Sequence, residues 1–548
     1  MKKQSFKALF LSACMIFAGS AAMAQIAHGG SPVMNQNAAK SAVPVAQLPI
    51  VDHNPLLQAD ALQVKGGTPM RVGVMQQTKV SNFADGVVTT LDDGSRVWRT
   101  AISSPGANFM TLYFSKFDIP EGARLFVYNA DGSFVLGSFV RENVLEGGVF
   151  YTQAIPGDVC YVEYIEPANV AGMGTLEITD VCHGYKPIFG SLDPKGQLGD
   201  AEGSCHINVK CPEGDDWRDQ IRSVVAINTV AGGYSFMCSG ALINNTAQDR
   251  TPYVLSAFHC QDLSEYGPIT QWTTYFNYQT NTCNGSSGPC NKSVTGATIV
   301  AKNSYSTGSD FMLLRLASNV PESYKAYYAG WDRNNVASPT PGSCIHHPGG
   351  DYKKISIPSV ITRLTGTYLR YYQVNWYTGA NNKGVTEQGS SGSPLFNGDG
   401  LIIGQLYAGS SACNAMDGYD LYGRFYSSWN GDNSSTTRLS DWLDPANTGV
   451  KTLEGLNYSD VNIRDVSEVQ TMSLYPNPTN GMVYLDIPDL GEASYKVFDL
   501  QGRCVLEGNT VLTATVQGIN LGSLPAGAYR LQVIAGSRIY GNTVLIGK

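Results

Sequence analysis

The stretch "TEQGSSGSPL", Thr386–Leu395, decides how the chain is read. It packs Gly-Ser-Ser-Gly-Ser-Pro immediately before an apolar segment. Such a run is either a flexible linker or a tight turn presenting a nucleophilic serine. A linker needs no partners. Acyl transfer by serine needs a base for the hydroxyl proton, a carboxylate to orient that base, and backbone N–H groups aimed at the developing oxyanion.

The chain supplies candidates for each role. "VLSAFHC" ends an apolar, strand-like segment at His259 beside Cys260, and "MCSGALI" places Cys238 on an earlier one. A bridge between these cysteines would restrain the loop bearing His259. "GSDFMLLRL" sets Asp310 at the head of another apolar strand, where an acid drawn to the edge of the core needs a partner. The order His259, Asp310, Ser391 is a known chain order for a Ser-His-Asp triad.

At 548 residues the chain has room for roughly three or four domains. Hydrophobic residues at 43% and charged residues at 15%, with abundant Gly and Tyr, describe a globular, strand-rich protein. A net charge of -8 argues against nucleic-acid binding, because no basic face is available for phosphates. No closely spaced metal-ligand pattern and no Gly-rich phosphate loop stands out, so no metal and no cofactor is expected.

The amino terminus reads as an address. Lys2, Lys3 and Lys7 precede an apolar run, and Ala22 and Ala24 occupy the small-residue positions of a signal-peptidase site before Gln25. "LSAC", Leu11–Cys14, offers the alternative of a lipoprotein acceptor, although apolar sequence continues past it. No later apolar stretch approaches the ~18 to 20 residues that span a bilayer. Twelve cysteines in an exported chain read first as disulfides. Loss of Cys14 would leave an odd number, with Cys504 the candidate for the unpaired thiol.

Residues 25–195 alternate apolar and polar positions between turns such as "IPEG" and "NADG", the pattern of a β-sandwich or β-roll. "GSLDPKGQLGDAEGS", 190–204, is an exposed-looking boundary. Residues 196–456 continue with short strands, ending in "RLSDWLDPA", which suits a short helix stopped near Pro445. A polar linker at 457–470 precedes another strand-rich segment, 471–548, with the pattern of a small β-sandwich.

The segments around Cys238, His259, Asp310 and Ser391 resemble chymotrypsin-type serine proteases. Residues 201–456 more specifically resemble bacterial lysyl endopeptidases, through "GSCHINVKCPEGD", "YFNYQTNTC", "AGWDR", "IHHP", "GVTEQGSSGSP" and "RLSDWLDPA" in order. The resemblance implies an all-β, chymotrypsin-like double β-barrel with the active site between barrels. It makes Ser391 the nucleophile, rather than its neighbours Ser390 and Ser393, and gives the oxyanion hole to the N–H groups of Gly389 and Ser391. The trypsin-like acid position, six residues before the nucleophile, holds Val385. The family pattern instead puts the selecting carboxylate at Asp420 in "YDLYGR", while the competitor Asp417 sits in a turn-like "NAMDG". A compact lysine ammonium suits such a point charge better than a guanidinium fork.

Trp376 matches the family's pocket-entrance tryptophan. Tyr407 replaces the histidine that stacks on it, and Ala408 replaces the adjoining glycine. His346 and His347 are expected to be structural. The resemblance also implies bridges Cys205–Cys413, Cys211–Cys283 and Cys238–Cys260. Cys290 with Cys344, and Cys160 with Cys182, are further candidate pairs.

The last segment resembles the type IX secretion sorting domain, through "LYPNPTNG", "VFDLQGR" and "LPAGAYRLQV". The expected organisation is a signal peptide (1–24), a β-rich propeptide (25–195) released after Lys195, the protease domain (196–456), the linker (457–470) and the sorting domain (471–548). The expected product is a monomeric, secreted or surface-attached serine endopeptidase cutting proteins and peptides after lysine. Its partners would be its own propeptide and the secretion machinery. The alternatives are cleavage after arginine or either basic residue, and an inactive protease-like adhesin.

Overall fold

A computed structural model describes residues 27–33, 43–62, 68–145, 147–188, 203–261, 269–379, 382–432, 434–458, 470–487, 491–499, 504–512, 517–535 and 538–547. The signal-region residues Lys2, Lys3, Lys7, Cys14, Ala22 and Ala24, and the processing residue Lys195, lie outside these. Two compact units emerge, Met1–Ser459 and Asp460–Lys548. Both are built from strands.

Residues 45–188 form two sheets. In one, Arg96–Ser103 and Arg124–Asn129 flank Val159–Glu166. In the other, Phe109–Asp118 and Met70–Ser81 flank Thr175–Gly184. Their inward side chains, among them Trp98, Leu112, Phe114, Leu125, Val162 and Ile178, share one buried cluster. Phe117 and Phe150 stack within it at 4.2 Å. These are the period-two residues of the sequence turned to one face.

The second sheet does not end there. Met70–Ser81 pairs antiparallel with Tyr234–Leu242, in register Tyr234↔Val74 and Ser235↔Gly73 before a shift to Phe236↔Arg71. One twelve-stranded sheet therefore runs from the amino-terminal region into a first barrel-like region. Arg71 reinforces the junction, its guanidinium 4.7 Å from the Tyr234 ring.

That first barrel-like sheet contains Val224–Ala231, Tyr234–Leu242, Tyr253–Ala257 and Phe311–Leu316. The second is ten-stranded and includes Pro341–His346, Tyr371–Trp376, Pro394–Asn397, Ile402–Gly409 and Tyr419–Arg424. Its core holds Ile361, Val374, Leu395, Leu406 and Tyr422. Another cluster joins residues of both sheets, including Leu255, Phe311, Ile345 and Phe396. The arrangement is all-β, two barrel-like sheets joined through this shared cluster. It ends in the short helices Phe425–Asn430 and Ser440–Leu443, the latter formed by "SDWL".

In the carboxy-terminal unit a five-stranded sheet and the three-stranded sheet Ser473–Tyr475, Met482–Asp486, Gln517–Asn520 enclose Val483, Leu485, Val497, Leu531 and Val544.

Candidate active site

His259 lies in a single 3-10 turn, Phe258–Cys260, directly after the strand Tyr253–Ala257. Asp310 precedes the neighbouring strand Phe311–Leu316, and the pairing Ala257↔Phe311 brings the two residues together. Asp310 adopts a left-handed backbone at φ +60, a conformation costly for most non-glycine residues but tolerated by aspartate. Its carboxylate explains why the conformation persists. Oδ2 is 2.7 Å from His259 Nδ1, while Oδ1 accepts the His259 backbone N–H at 3.0 Å. Both side chains are fully buried. His259 Nε2 is buried without a hydrogen-bond partner, so the ring is held from one side and has an open acceptor position on the other.

The loop carrying Ser391 is fixed by both barrels. The Ser391 carbonyl accepts the Ser239 N–H at 2.8 Å, and Ser239 Oγ donates to the Gly389 carbonyl at 2.9 Å. Gly392 N–H donates to the Leu406 carbonyl at 2.9 Å. At Gly389, φ is +89 and a β-carbon would lie 2.7 Å from Gly350 N and His347 O. Only glycine fits there. The loop is consequently a constrained turn, not a linker. Among the described residues, neither the Gly389 nor the Ser391 N–H donates a hydrogen bond. Ser391 is 7% exposed and Ser390 fully buried. Ser390 Oγ instead meets His346 Nδ1 at 2.7 Å, and His346 Nε2 meets Ser356 Oγ at 2.9 Å.

His347 stacks on Tyr278 with ring centroids 5.5 Å apart. Burial, aided by nearby Lys353, lowers its pKa to about 3, so it is neutral at ordinary pH.

Asp420 is fully buried on the strand Tyr419–Arg424. Its Oδ2 accepts from Trp376 Nε1 at 2.8 Å, Thr386 Oγ1 at 2.7 Å and Ser411 Oγ at 2.6 Å. Oδ1 faces Gly409, where a β-carbon would lie only 1.8 Å from it. Asp417 lies in the turn before this strand. Trp376 and Asp420 are thus brought together, although Trp376 acts as a donor to the carboxylate.

Tyr407 lies parallel to Tyr305, with ring centroids 5.5 Å apart, and meets the His259 ring edge-on at 6.1 Å. A one-residue register shift between Leu406 and Ala408 in its strand pairing accompanies this placement.

The sequence reading missed Thr386, Ser411 and Glu387. Burial pushes the Glu387 carboxyl up. The hydrogen bond from His206 and the N–H groups of Cys413 and Gly203 outweigh burial and hold the pKa at about 2. Glu387 thereby ties the start of the protease region to the Ser391 loop. Thr386 and Glu387 stand inside the opening stretch, but nothing local reveals their partners.

The bridges Cys205–Cys413, Cys211–Cys283 and Cys238–Cys260 are present. Neither further candidate pair forms. Cys160 belongs to the core between the amino-terminal sheets, whereas Cys182 and Cys290 join a different cluster, and Cys344 lies in the second barrel. All four are buried thiols outside the three bridges, while Cys504 is exposed.

Residues 199–423 match the family profile described as lysyl endopeptidase, C-terminal domain, and residues 473–546 that of the secretion system C-terminal sorting domain. A lysyl endopeptidase of Pseudomonas aeruginosa PAO1 is 28% identical over 463 residues, covering 75% of this chain and 94% of that protein. Solved structures align over less of the chain. A Glu endopeptidase is 18% identical over 40-odd per cent, specifically 41% of this chain and 93% of that one, with a TM-score of 0.28. Rv3671c of Mycobacterium tuberculosis H37Rv is 16% identical, covering 40% and 91%, with a TM-score of 0.25. Among the described residues no helix is long and apolar enough to cross a membrane. Residues 199–423 thus resemble the lysyl endopeptidase domain and residues 473–546 carry a type IX secretion sorting domain; the chain is a serine endopeptidase that is secreted or attached at the cell surface.

Proposed function

We propose that the protease region hydrolyses peptide bonds on the carboxyl side of lysine through an acyl-enzyme. Ser391 Oγ attacks the scissile carbonyl carbon as His259 Nε2 takes its proton. The Gly389 and Ser391 N–H groups stabilise the oxyanion. Collapse breaks the C–N bond, and His259 returns the proton to the leaving amine. Water then attacks the acyl ester with His259 again as base, releasing the acid and restoring Ser391. Asp310 holds Nδ1 protonated and stabilises the imidazolium.

The observation that carries the lysine reading is the set of three donors on one oxygen of buried Asp420. With Oδ2 engaged by Trp376, Thr386 and Ser411, the carboxylate is poorly disposed to accept a bidentate guanidinium fork. A single ammonium, as a point charge, suits such a carboxylate better.

In the same reading, residues 25–195 act as a propeptide, cleavage after Lys195 yields the mature amino terminus, and the mature enzyme is a monomer. The test is mass spectrometry of a denatured mixed-protein digest made with the mature enzyme and with Ser391→Ala. Peptides ending almost only in lysine, absent with the variant, are expected. Lysine and arginine termini together would overturn the specificity. Lysine termini unaffected by Ser391→Ala would overturn the nucleophile.

A further inference from the structure

The motif "IHHP", Ile345–Pro348, takes part in no step of the proposed hydrolysis, yet it lies against the loop that carries Ser391. His346 closes the strand Pro341–His346. That strand pairs with Lys354–Ser356 on one side and, on the other, with Pro394–Asn397, which follows the Ser391 loop. The His346 ring is thereby enclosed between Ser356 and Ser390, and all three residues are fully buried. The network assigns the ring protons. Ser356 Oγ donates its one proton to the Val385 carbonyl at 2.9 Å, so it accepts from His346 Nε2, also 2.9 Å away. In the neutral ring Nε2 therefore carries the proton, and Nδ1 accepts from the Ser390 hydroxyl at 2.7 Å.

The backbone around Ser390 is held plane by plane. In a trans peptide the C=O and N–H point to opposite sides, so fixing one aims the other. The Gly389 N–H shares its plane with the Gln388 carbonyl, which accepts the Gly349 N–H at 2.7 Å. The Ser391 N–H shares its plane with the Ser390 carbonyl, which accepts the Ser393 N–H at 2.9 Å. Between these planes the Gly389 carbonyl accepts from Ser239 Oγ, which itself accepts the His347 N–H at 3.0 Å. His346, His347 and Gly349 thus all act on Gln388–Ser390, the first through its side chain and the others through backbone N–H groups.

We infer that the corner His346–Gly349 is the template that aims the oxyanion donors, and that His346 is its positioning residue, acting through the Ser390 side chain. The inference rests on the reading of Ser391 as nucleophile with the Gly389 and Ser391 N–H groups as its oxyanion hole. Ser390 stands between the two donors, so a rotation of its backbone turns both planes. Donors set before charge develops need no reorganisation in the transition state. The contact therefore governs the rate of acyl transfer and not the capture of a lysine side chain at Asp420.

The test is kcat and KM of the secreted enzyme on a lysyl peptide amide. Beside them stand the Ki of a lysyl peptide aldehyde, whose adduct with Ser391 carries the oxyanion, and the Ki of butylamine, which reads the lysine pocket alone. His346→Asn puts an amide oxygen where Nδ1 stands and keeps the Ser390 contact, whereas His346→Gln keeps the Ser356 contact and loses the one to Ser390. His346→Gln should lower kcat and weaken the aldehyde by about 10- to 100-fold, less than deletion of an oxyanion donor, with the butylamine Ki unchanged. His346→Asn should stay within about fivefold of wild type. Ser390→Ala should match His346→Gln, and the double variant should lose no more than either alone. Equal losses in the Asn and Gln variants, no loss in Gln, or a loss confined to KM and butylamine would overturn the inference. Should His346→Gln not fold, an unchanged kcat in Ser390→Ala would overturn it instead. Cleavage that survives Ser391→Ala in the same assay would overturn the nucleophile reading, a result separate from any pattern among the His346 variants.

Discussion

Replacing Asp420 by asparagine tests the selecting carboxylate with almost no change of shape. The three donors now on Oδ2 require an acceptor, so the amide oxygen takes that position and its NH2 takes the position of Oδ1. A substrate ammonium then meets a donor instead of a negative charge. Two unit charges about 3 Å apart at an effective dielectric of about 20 interact by roughly 5 kcal/mol. Desolvating the lysine ammonium cancels part of this. A net loss of about 3–4 kcal/mol corresponds to a fall of roughly 200- to 1000-fold in kcat/KM for lysine peptides. The assay is steady-state hydrolysis of a lysyl ester or amide, beside titration of Ser391 with a small uncharged acylating reagent. The reagent should react with wild type and variant at similar rates, because the hydrolytic groups are untouched. Lysine cleavage within tenfold of wild type would refute the assignment, and equal loss of both activities would show that the effect is not one of selection.

Asp310→Asn should lower kcat about 10⁴-fold. Its oxygen stays with the His259 backbone N–H, so the amide faces Nδ1 and forces the proton onto Nε2, where the ring can no longer accept from serine. A loss below tenfold would contradict this. Glu387 has a folded pKa depressed to about 2 from an ordinary 4.5, so its stabilising contribution is present above pH 4.5 and is lost as pH falls toward 2. Denaturant unfolding of Glu387→Gln should show less acid sensitivity between pH 5 and 2 than wild type, and parallel profiles would contradict the clamp. Burial raises the pKa of Cys160, Cys182 and Cys290 to about 12. An alkylating reagent should label exposed Cys504 in the native chain and these thiols only after unfolding. Native labelling of Cys182 would contradict the packing around it.

Much of the site was legible in the sequence because its chemistry is written in short segments. His259, Asp310 and Ser391 each stand beside an apolar strand, and the family resemblance carried by the motifs implied an all-β double barrel and three bridges. Strand alternation likewise made the amino-terminal region and the sorting domain readable as β structure. What the tertiary structure alone decided depends on register and pairing between distant segments. Thr386, Ser411 and Trp376 converge on Asp420 because separate strands and loops meet there. Tyr407 stacks on Tyr305, and the strand Met70–Ser81 joins the sheet of the first barrel. The candidate pairs Cys160–Cys182 and Cys290–Cys344 fail for the same reason. Cysteine count is a property of composition, but a bridge requires two side chains to enter one layer of the core, and pairing of strands far apart in the chain sets which layers those are.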